Sequence, residues 1–264
     1  MFKNRNYRTK SHRQGLTPFT VTVKETDLHI QAESDLSEIA LRKVLELRGF
    51  IETYISIDHK FKTSFVPVEP ILPIVPQVIT DMIDAGKKAK VGPMAAIAGA
   101  IAQHTGQELL KYSSEVIVEN GGDIFFKTNS DTVFSIFAGK SPLSMKIGVR
   151  IAPQKSNYNS NAGAENSSIK SLKIDNRGMA ICTSSGTVGH SISFGKADAA
   201  TVISKSCSIA DAAATALGNI VKTESDIERA IEVGQNIEGV DGIIIIKGKR
   251  LGAWGDVELV KVSP

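Results

Sequence analysis

The arrangement of apolar and polar residues predicts an α+β fold. In the first half of the chain, alternating residues predict two strands, and apolar residues at helical spacing then predict three helices. The predicted strands are 19–23 and 28–32. The first predicted helix begins at Ser34 or Asp35 and ends at about Asp58, the second covers 77–85, and the third runs from Pro93 to about Tyr112. Prolines between 67 and 76 indicate an irregular passage before the second helix.

The second half repeats the order of strands, paired helices and strands, which suggests a duplicated unit within one compact body. Strands are predicted at 116–127 (two strands around Gly-Gly or one bent strand), 132–137, 145–151, 169–174, 179–182 and 201–204. Two helices are predicted from Ser208 and Ser225, each with a capping box, and 242–247 is predicted to pair with 257–262 as a hairpin. Residues 153–168 have the composition of a long, lid-like loop.

Composition and charge restrict the class of protein. The 264 residues are 42% hydrophobic and 22% charged with a net charge of +3, which is ordinary for a soluble protein. Residues 1–14 form a basic tail without a following apolar stretch, and the run 91–102 is too short to span a bilayer. We expect a cytoplasmic protein without a membrane partner, and the near-neutral charge makes nucleic-acid binding through the tail the weakest hypothesis.

The stretch 206–219 contains the most informative spacing in the chain. Asp211 and Thr215 are four residues apart in an alanine-rich helix, so their oxygens lie on one helix face. Mg²⁺ prefers oxygen ligands, usually one or two protein groups with waters and a substrate phosphate. The alternative is structural, because Ser208 and Asp211 also have the spacing of a capping box.

Two further glycine-rich stretches are candidates for ligand binding. In 119–123, glycines would let a ligand approach the backbone and Asp123 could accept from a ribose, although a tight hairpin explains the pattern equally well. In 182–187, hydroxyls and amides could form an anion-binding nest, or a turn that satisfies its own backbone. The nearby His190 is the candidate acid or base.

The helix that starts at Gly92-Pro93 offers one more candidate anion site. The first amides of a helix have no partner within the helix and attract anions. Its small residues share one face, and close helix packing explains that face equally well. We therefore leave both interpretations open at Gly92.

Taken in order, these motifs resemble the ApbE superfamily of flavin transferases, and more closely an ApbE-like family of archaea and anaerobic bacteria. The matching pieces are 91–102, 119–123, 183–186 and 210–216, and the start of the chain extends the resemblance over 15–264. The resemblance implies a single α+β body built from a duplicated T-fold-like unit. It also implies binding of FAD and Mg²⁺, with transfer of FMN to a threonine of an acceptor protein or hydrolysis of FAD to FMN and AMP.

By this resemblance, Asp211 and Thr215 match the metal-binding residues of the family, and His190 is the catalytic candidate. A small-molecule nucleotide, FAD or another, would lie against two segments and the start of one helix. The residues expected to line this nucleotide pocket are Gly92, Glu119, Asn120, Gly121, Gly122, Asp123, Thr183, Ser184, Ser185 and Gly186. An acceptor protein and a second copy of the chain are the other expected partners.

Two departures from the family pattern put the flavin chemistry in question. The His-Ile-Ile-Asp-Pro segment is missing, and Ala98-Gly99 replaces the usual lysine segment. The closer family implies an alternative function in sulfur assimilation (homocysteine formation) in anaerobes, acting through Cys182 and Cys207. A helix N-terminus lowers the pKa of a thiol, which favours this alternative, whereas two inert buried thiols are the structural explanation.

Overall fold

The described residues form two packed sheets and one layer of helices. This computed structural model describes residues 13–153, 173–174, 178–186 and 195–262. The strands are β1 (Thr17–Val23), β2 (Thr26–Ala32), β3 (Val116–Asn120), β4 (Asp123–Lys127), β5 (Thr132–Ser135), β6 (Ile147–Pro153), β7 (Lys173–Ile174), β8 (Met179–Ser184), β9 (Ala199–Ser204), β10 (Val240–Lys247), β11 (Arg250–Gly255) and β12 (Glu258–Lys261). The helices are α1 (Ser37–Ile57), α2 (His59–Thr63), α3 (Gln77–Ala89), α4 (Ile97–Leu109), α5 (Cys207–Ile220) and α6 (Asp226–Gln235).

The large sheet has an internal duplication. Its eight strands follow the order β1-β2-β3-β4-β8-β9-β10-β11, and all neighbours are antiparallel. Each half consists of two strands, then helices, then two strands, and the halves join where β4 pairs with β8. The predicted single α+β body with a repeated unit is therefore confirmed.

Side-chain alternation assigns each strand residue to one face of the large sheet. Val118, Phe125 and Cys182 belong to the core between the sheet and the helices. Phe126 and Ile181 belong to a second core, which the small sheet β12-β6-β5 covers. The centre of the large sheet is therefore buried on both faces.

The predicted C-terminal hairpin is wrong in its second strand. Residues 242–247 pair with β11 through a turn at Gly248, where φ is 61°. The strand within 257–262 pairs with β6 in the small sheet instead. The error has a simple cause: Arg250–Gly255 lacks the apolar alternation that marks the later strand.

The helices lie where the apolar spacing predicts them; α3 begins at the predicted residue and ends later than predicted, whereas the other starts differ. The predicted helix from Pro93 is a 3-10 turn at Pro93–Ala96 followed by α4. α5 begins at Cys207 because the Ser206 hydroxyl accepts the Ile209 amide at 3.3 Å, so the predicted Ser208 capping box is wrong.

Two other predicted caps also differ. Leu36 precedes α1 without a side-chain cap, although the Asp35 carboxylate accepts the Ser37 amide at 2.9 Å. Ser225 makes no side-chain cap bond at α6, where Asp226 accepts the Thr223 amide at 2.7 Å. At α1, Asp35 is one of the two predicted candidates and binds an amide at the helix start. At α6, the predicted Ser225 cap is wrong, and Asp226 binds an amide that precedes the helix.

The predicted tail and loop lie largely outside the described residues. The tail is described only from Arg13, whose guanidinium lies 3.1 Å from the Glu115 carboxylate. Of the predicted loop 153–168, only residue 153 is described. Within the described ranges, no helix has both the length and the apolar character needed to cross a membrane.

Candidate functional site

A buried carboxylate, a half-buried carboxylate and two buried thiols meet on the helix face of the large sheet, where its two halves join. Asp123 begins β4 and lies opposite Cys182 in β8. Cys207 and Asp211 lie in the first two turns of α5, which packs on β8. Together with Asn120 at the end of β3, these residues form what we call the central cluster.

Asp211 caps the start of the neighbouring helix α4. The Gly99 amide donates a hydrogen bond of 2.8 Å to Asp211 Oδ2. Ala96, the residue before α4, makes no side-chain cap bond of its own. Because the first amides of a helix need acceptors and carry partial positive charge, the Asp211 carboxylate is well placed there. The start of α4 therefore holds a carboxylate of the chain itself, and the anion site at Gly92 stays a prediction.

Gly99 allows α4 and α5 to approach closely enough for this bond. A Cβ added at Gly99 would lie 2.3 Å from the Cys207 carbonyl oxygen and 2.8 Å from Asp211 Cβ. The absence of a side chain at Gly99 is thus a steric requirement. A second hydrogen bond joins the two helices, because Gln103 Oε1 on α4 accepts the Cys207 amide of α5 at 2.6 Å.

The β3–β4 turn contributes Asn120 and Asp123. These residues pair directly, with Gly121 at φ 80° in the turn between them, so the hairpin interpretation of 119–123 is confirmed. Asn120 Nδ2 donates to the Ala98 carbonyl at 3.1 Å, which ties the turn to α4. The hairpin therefore places a carboxylate and an amide against the start of α4.

Burial and mutual repulsion dominate the electrostatics of the two carboxyls. Burial raises the pKa of Asp123 to about 7; the Glu119 charge adds to this rise and the Cys182 thiol opposes it. Burial, followed by the Asp123 charge, raises the pKa of Asp211 well above its usual range, although the Gly99 and Ala98 amides oppose the shift. No lysine, arginine or histidine among the described residues contributes to either shift. The pair would therefore gain from a bound cation.

The two thiols lie beside the carboxyls and are poor nucleophiles. Cys182 and Cys207 are free and buried, with their sulfurs 3.5 Å apart. Burial raises the pKa of both thiols, and the charges of Asp123 and Asp211 add to the rise. The expectation that the helix start lowers the pKa of Cys207 is therefore wrong, because burial outweighs the effect of the α5 N-terminus.

Two predicted pocket residues lie on the opposite face of the sheet. Glu119 has the same strand parity as Ile117, which belongs to the core under the small sheet. Thr183 has the same parity as Ile181, and its hydroxyl contacts that of Thr201 at 2.9 Å. Their side chains therefore do not line a surface shared with Asp211.

Several predicted glycines serve backbone packing. A Cβ at Gly92 would lie 1.8 Å from the Ser64 carbonyl oxygen, and one at Gly186 would lie 2.3 Å from the Gly195 carbonyl oxygen. The Gly122 carbonyl accepts the Thr183 amide at 3.0 Å, which joins the turn to β8. Their positions have a structural explanation without a nucleotide.

The other predicted residues have different outcomes. Thr215 lies one turn after Asp211 on the same side of α5 and is half-buried. Ser184 shares the helix face with Cys182, while Ser185 is half-buried just beyond β8. His190, the catalytic candidate, lies outside the described residues.

Sequence reasoning missed Gly99 and Gln103 as parts of the site. A sequence pattern could have found them: Gly99 is followed four positions later by Gln103, so a residue without a side chain and a side-chain amide share one face of an apolar helix. Their partners on α5 are more than 100 positions away, with sequence separations of 112 and 104 residues.

The chemistry of the central cluster is compatible with a hard cation. Among the described residues, the buried Asp211 carboxylate accepts from backbone amides, and the Asp123 carboxyl lies close enough to affect its pKa. The Thr215 hydroxyl follows one turn later on the same side of α5. In the part of the chain that the structure describes, no three His, Cys, Asp or Glu side chains are grouped for metal binding. A cation here would need hydroxyl, backbone, water or substrate oxygens as well, as Mg²⁺ commonly does.

Comparison with known proteins identifies the family. The model of the family described as AbpE bacteria matches residues 8–237. The chain belongs to this family. A UPF0280 protein of Methanococcus aeolicus is 36% identical over 248 residues, covering 92% of both chains. A UPF0280 protein of Methanococcus maripaludis strain C7 is 38% identical over 241 residues, covering 90% of both.

Solved structures show the same fold at low identity. A mutant of the flavin transferase ApbE from Vibrio cholerae superposes with a TM-score of 0.54 at 12% identity, covering 90% of this chain and 96% of that one. The flavinyl transferase ApbE of Pseudomonas stutzeri, in its apo form, gives 0.52 at 12% identity, covering 90% and 93%. This ApbE-like protein therefore has the fold of flavin transferases over nearly its whole described length.

Proposed function

We propose that this ApbE-like protein binds a flavin nucleotide together with a divalent cation, Mg²⁺ first among the candidates, at the central cluster. The observation that carries the proposal is the pair of carboxyls at the half-buried Asp123 and the buried Asp211, which has no cationic partner among the described residues. Similarity to a flavin transferase from Vibrio cholerae supports the flavin part.

In this proposal, Asp211 and Thr215 hold the cation, and Asp123 faces the same space. The Gly99 amide fixes the orientation of the Asp211 carboxylate, and the bond from Asn120 to the Ala98 carbonyl fixes the turn that carries Asp123. When bound, the cation would offset charge on a pyrophosphate and its leaving phosphate. Because the pKa of Asp123 is about 7, this carboxyl can hold or release a proton near neutral pH.

Two reactions of FAD could take place at this site. One transfers FMN from FAD to a threonine of an acceptor protein, and the other hydrolyses FAD to FMN and AMP. His190 remains the proposed acid or base. The cytoplasmic location and the sulfur-assimilation alternative remain predictions, and the burial of both thiols counts against a nucleophilic role for them.

The test is incubation of anaerobically purified protein with FAD and Mg²⁺, followed by separation of the nucleotides. We expect FAD to co-elute with the protein, and FMN with AMP to appear if hydrolysis is the reaction. Asp211→Asn should abolish both, whereas the matched control Asp84→Asn, at an exposed carboxylate on α3, should change neither. Failure of the wild-type protein to bind FAD, or unchanged binding by Asp211→Asn, would contradict the proposal.

A further inference from the structure

The two sulfurs of the central cluster lie close together. Cys182 Sγ and Cys207 Sγ are 3.5 Å apart, although the residues are 25 positions apart in the chain. Cys182 Sγ also lies 3.6 Å from the Cys207 carbonyl oxygen. The chain has 2 cysteines in 264 residues, so each thiol has only the other as an intramolecular partner.

The surrounding contacts hold the two sulfurs together. Cys182 is fixed by the β4–β8 pairing, in which it faces Asp123. The start of α5 is fixed by Gln103, which accepts the Cys207 amide at 2.6 Å. A disulfide needs a sulfur separation of about 2.05 Å, so a movement of about 1.5 Å would complete the bond. This distance is within reach of side-chain rotation and a small backbone shift.

We propose that Cys182 and Cys207 form a reversible intramolecular disulfide that links β8 to the first turn of α5. The oxidant is a low-molecular-weight disulfide. Local opening at the start of α5 exposes one cysteine and removes the burial that raises its pKa. The thiolate of this cysteine attacks the oxidant, and the leaving sulfur takes up the proton that the cysteine has lost. The second cysteine then attacks the mixed disulfide, releasing the other thiol with the second proton. Two protein thiols become one disulfide, and the oxidant becomes two thiols.

The link would act on the neighbouring carboxyl, an effect that rests on the proposed function. Bond formation draws the Cys207 sulfur toward β8, and Cys207 precedes Asp211 by one turn of α5. Because the Cys207 carbonyl oxygen lies against Gly99, this movement should displace Asp211 from the Gly99 amide, and the oxidised protein should bind a divalent cation more weakly. The same bond closes the segment 183–206, which includes the end of β8 and all of β9.

The test uses the full chain in buffers of oxidised and reduced dithiothreitol at varied ratios. Samples are quenched in acid, denatured and labelled with N-ethylmaleimide, and the mass of the intact protein is measured by mass spectrometry. We expect a monomer that has lost two hydrogen atoms and takes up no label. After reduction, the same protein should take up two labels. Two labels at every ratio, or a lasting mixed disulfide, would overturn the proposal and indicate only contact between two buried thiols.

Two controls separate the disulfide from the proposed function. Cys207→Ala should leave one labelled thiol at every ratio, and only the wild-type protein should melt at a higher temperature after oxidation. Mg²⁺ binding is then compared between reduced and oxidised protein. Weaker Mg²⁺ binding after oxidation supports the proposed effect of the disulfide on the cation site, and equal binding overturns that effect. If neither form binds Mg²⁺ or FAD, the proposed function fails while the mass result still decides the disulfide.

Discussion

The starts of α4 and α5 lie side by side but are stabilised in different ways. α5 has a local cap, the Ser206 hydroxyl, and its first amide donates to Gln103 of α4. α4 follows Ala96, which supplies no cap, and depends on Asp211 of α5. The residue that completes α4 is therefore also the proposed cation ligand. Changes at α4 should disturb the site, whereas changes at the α5 cap should mainly affect stability.

The largest expected effect comes from Gly99→Ala. The new Cβ would meet the Cys207 carbonyl oxygen at 2.3 Å, so α4 and α5 must separate. Overpacking of this kind costs about 3 kcal/mol of unfolding free energy. Urea denaturation of the wild type and the variant measures this loss of unfolding free energy. The matched control is Gly49→Ala in α1, where the new Cβ meets nothing within 4 Å, and it should stabilise the protein by about 0.5 kcal/mol.

Asp211→Ala should have the next largest effect, because α4 loses its acceptor. Loss of a helix cap costs about 1–2 kcal/mol, measured in the same denaturation experiment. Asp211→Asn retains an oxygen for the Gly99 amide and should cost less than half as much while still losing cation binding. Equal stability of Asp211→Ala and the wild type would contradict the capping role.

The pH dependence should follow from the raised pKa of Asp123. The folded protein holds this proton up to about pH 7, whereas in the unfolded chain the carboxyl has its ordinary pKa of 3.8. Stability should therefore fall as pH rises between these values, because the native state binds more protons. Thermal melts of the wild type and Asp123→Asn from pH 5 to 8 should show a shallower decline for the variant. A steeper decline in the variant would refute the assignment.

Ser206→Ala should have the smallest effect and sharpens the comparison between the two helix starts. The hydroxyl bond to Ile209 is 3.3 Å long, and Gln103 still supports the helix start. We expect a loss of about 1 kcal/mol in unfolding free energy and unchanged Mg²⁺ binding. Loss of Mg²⁺ binding in this variant would show that both helix starts, and not only that of α4, control the site.

The sequence predicted the elements better than the contacts between them. The spacing of Asp211 and Thr215 marks one face of α5, but the partner of Asp211 is an amide of α4 that only the packing of the helices identifies. Strand parity could have separated Glu119 and Thr183 from the other pocket candidates, because each alternates with a residue of the second core. The approach of Cys182 to Cys207 depends on how α5 packs on β8, which no local pattern encodes.

The most direct test of the account is isothermal titration of Mg²⁺ into the reduced protein at pH 8 with FAD present. The account predicts saturable binding by the wild type and none by Asp211→Asn, while the thermal melts of the two remain within a few degrees. Equal Mg²⁺ affinity in both proteins would contradict the account, because Asp211 would then serve only as the cap of α4.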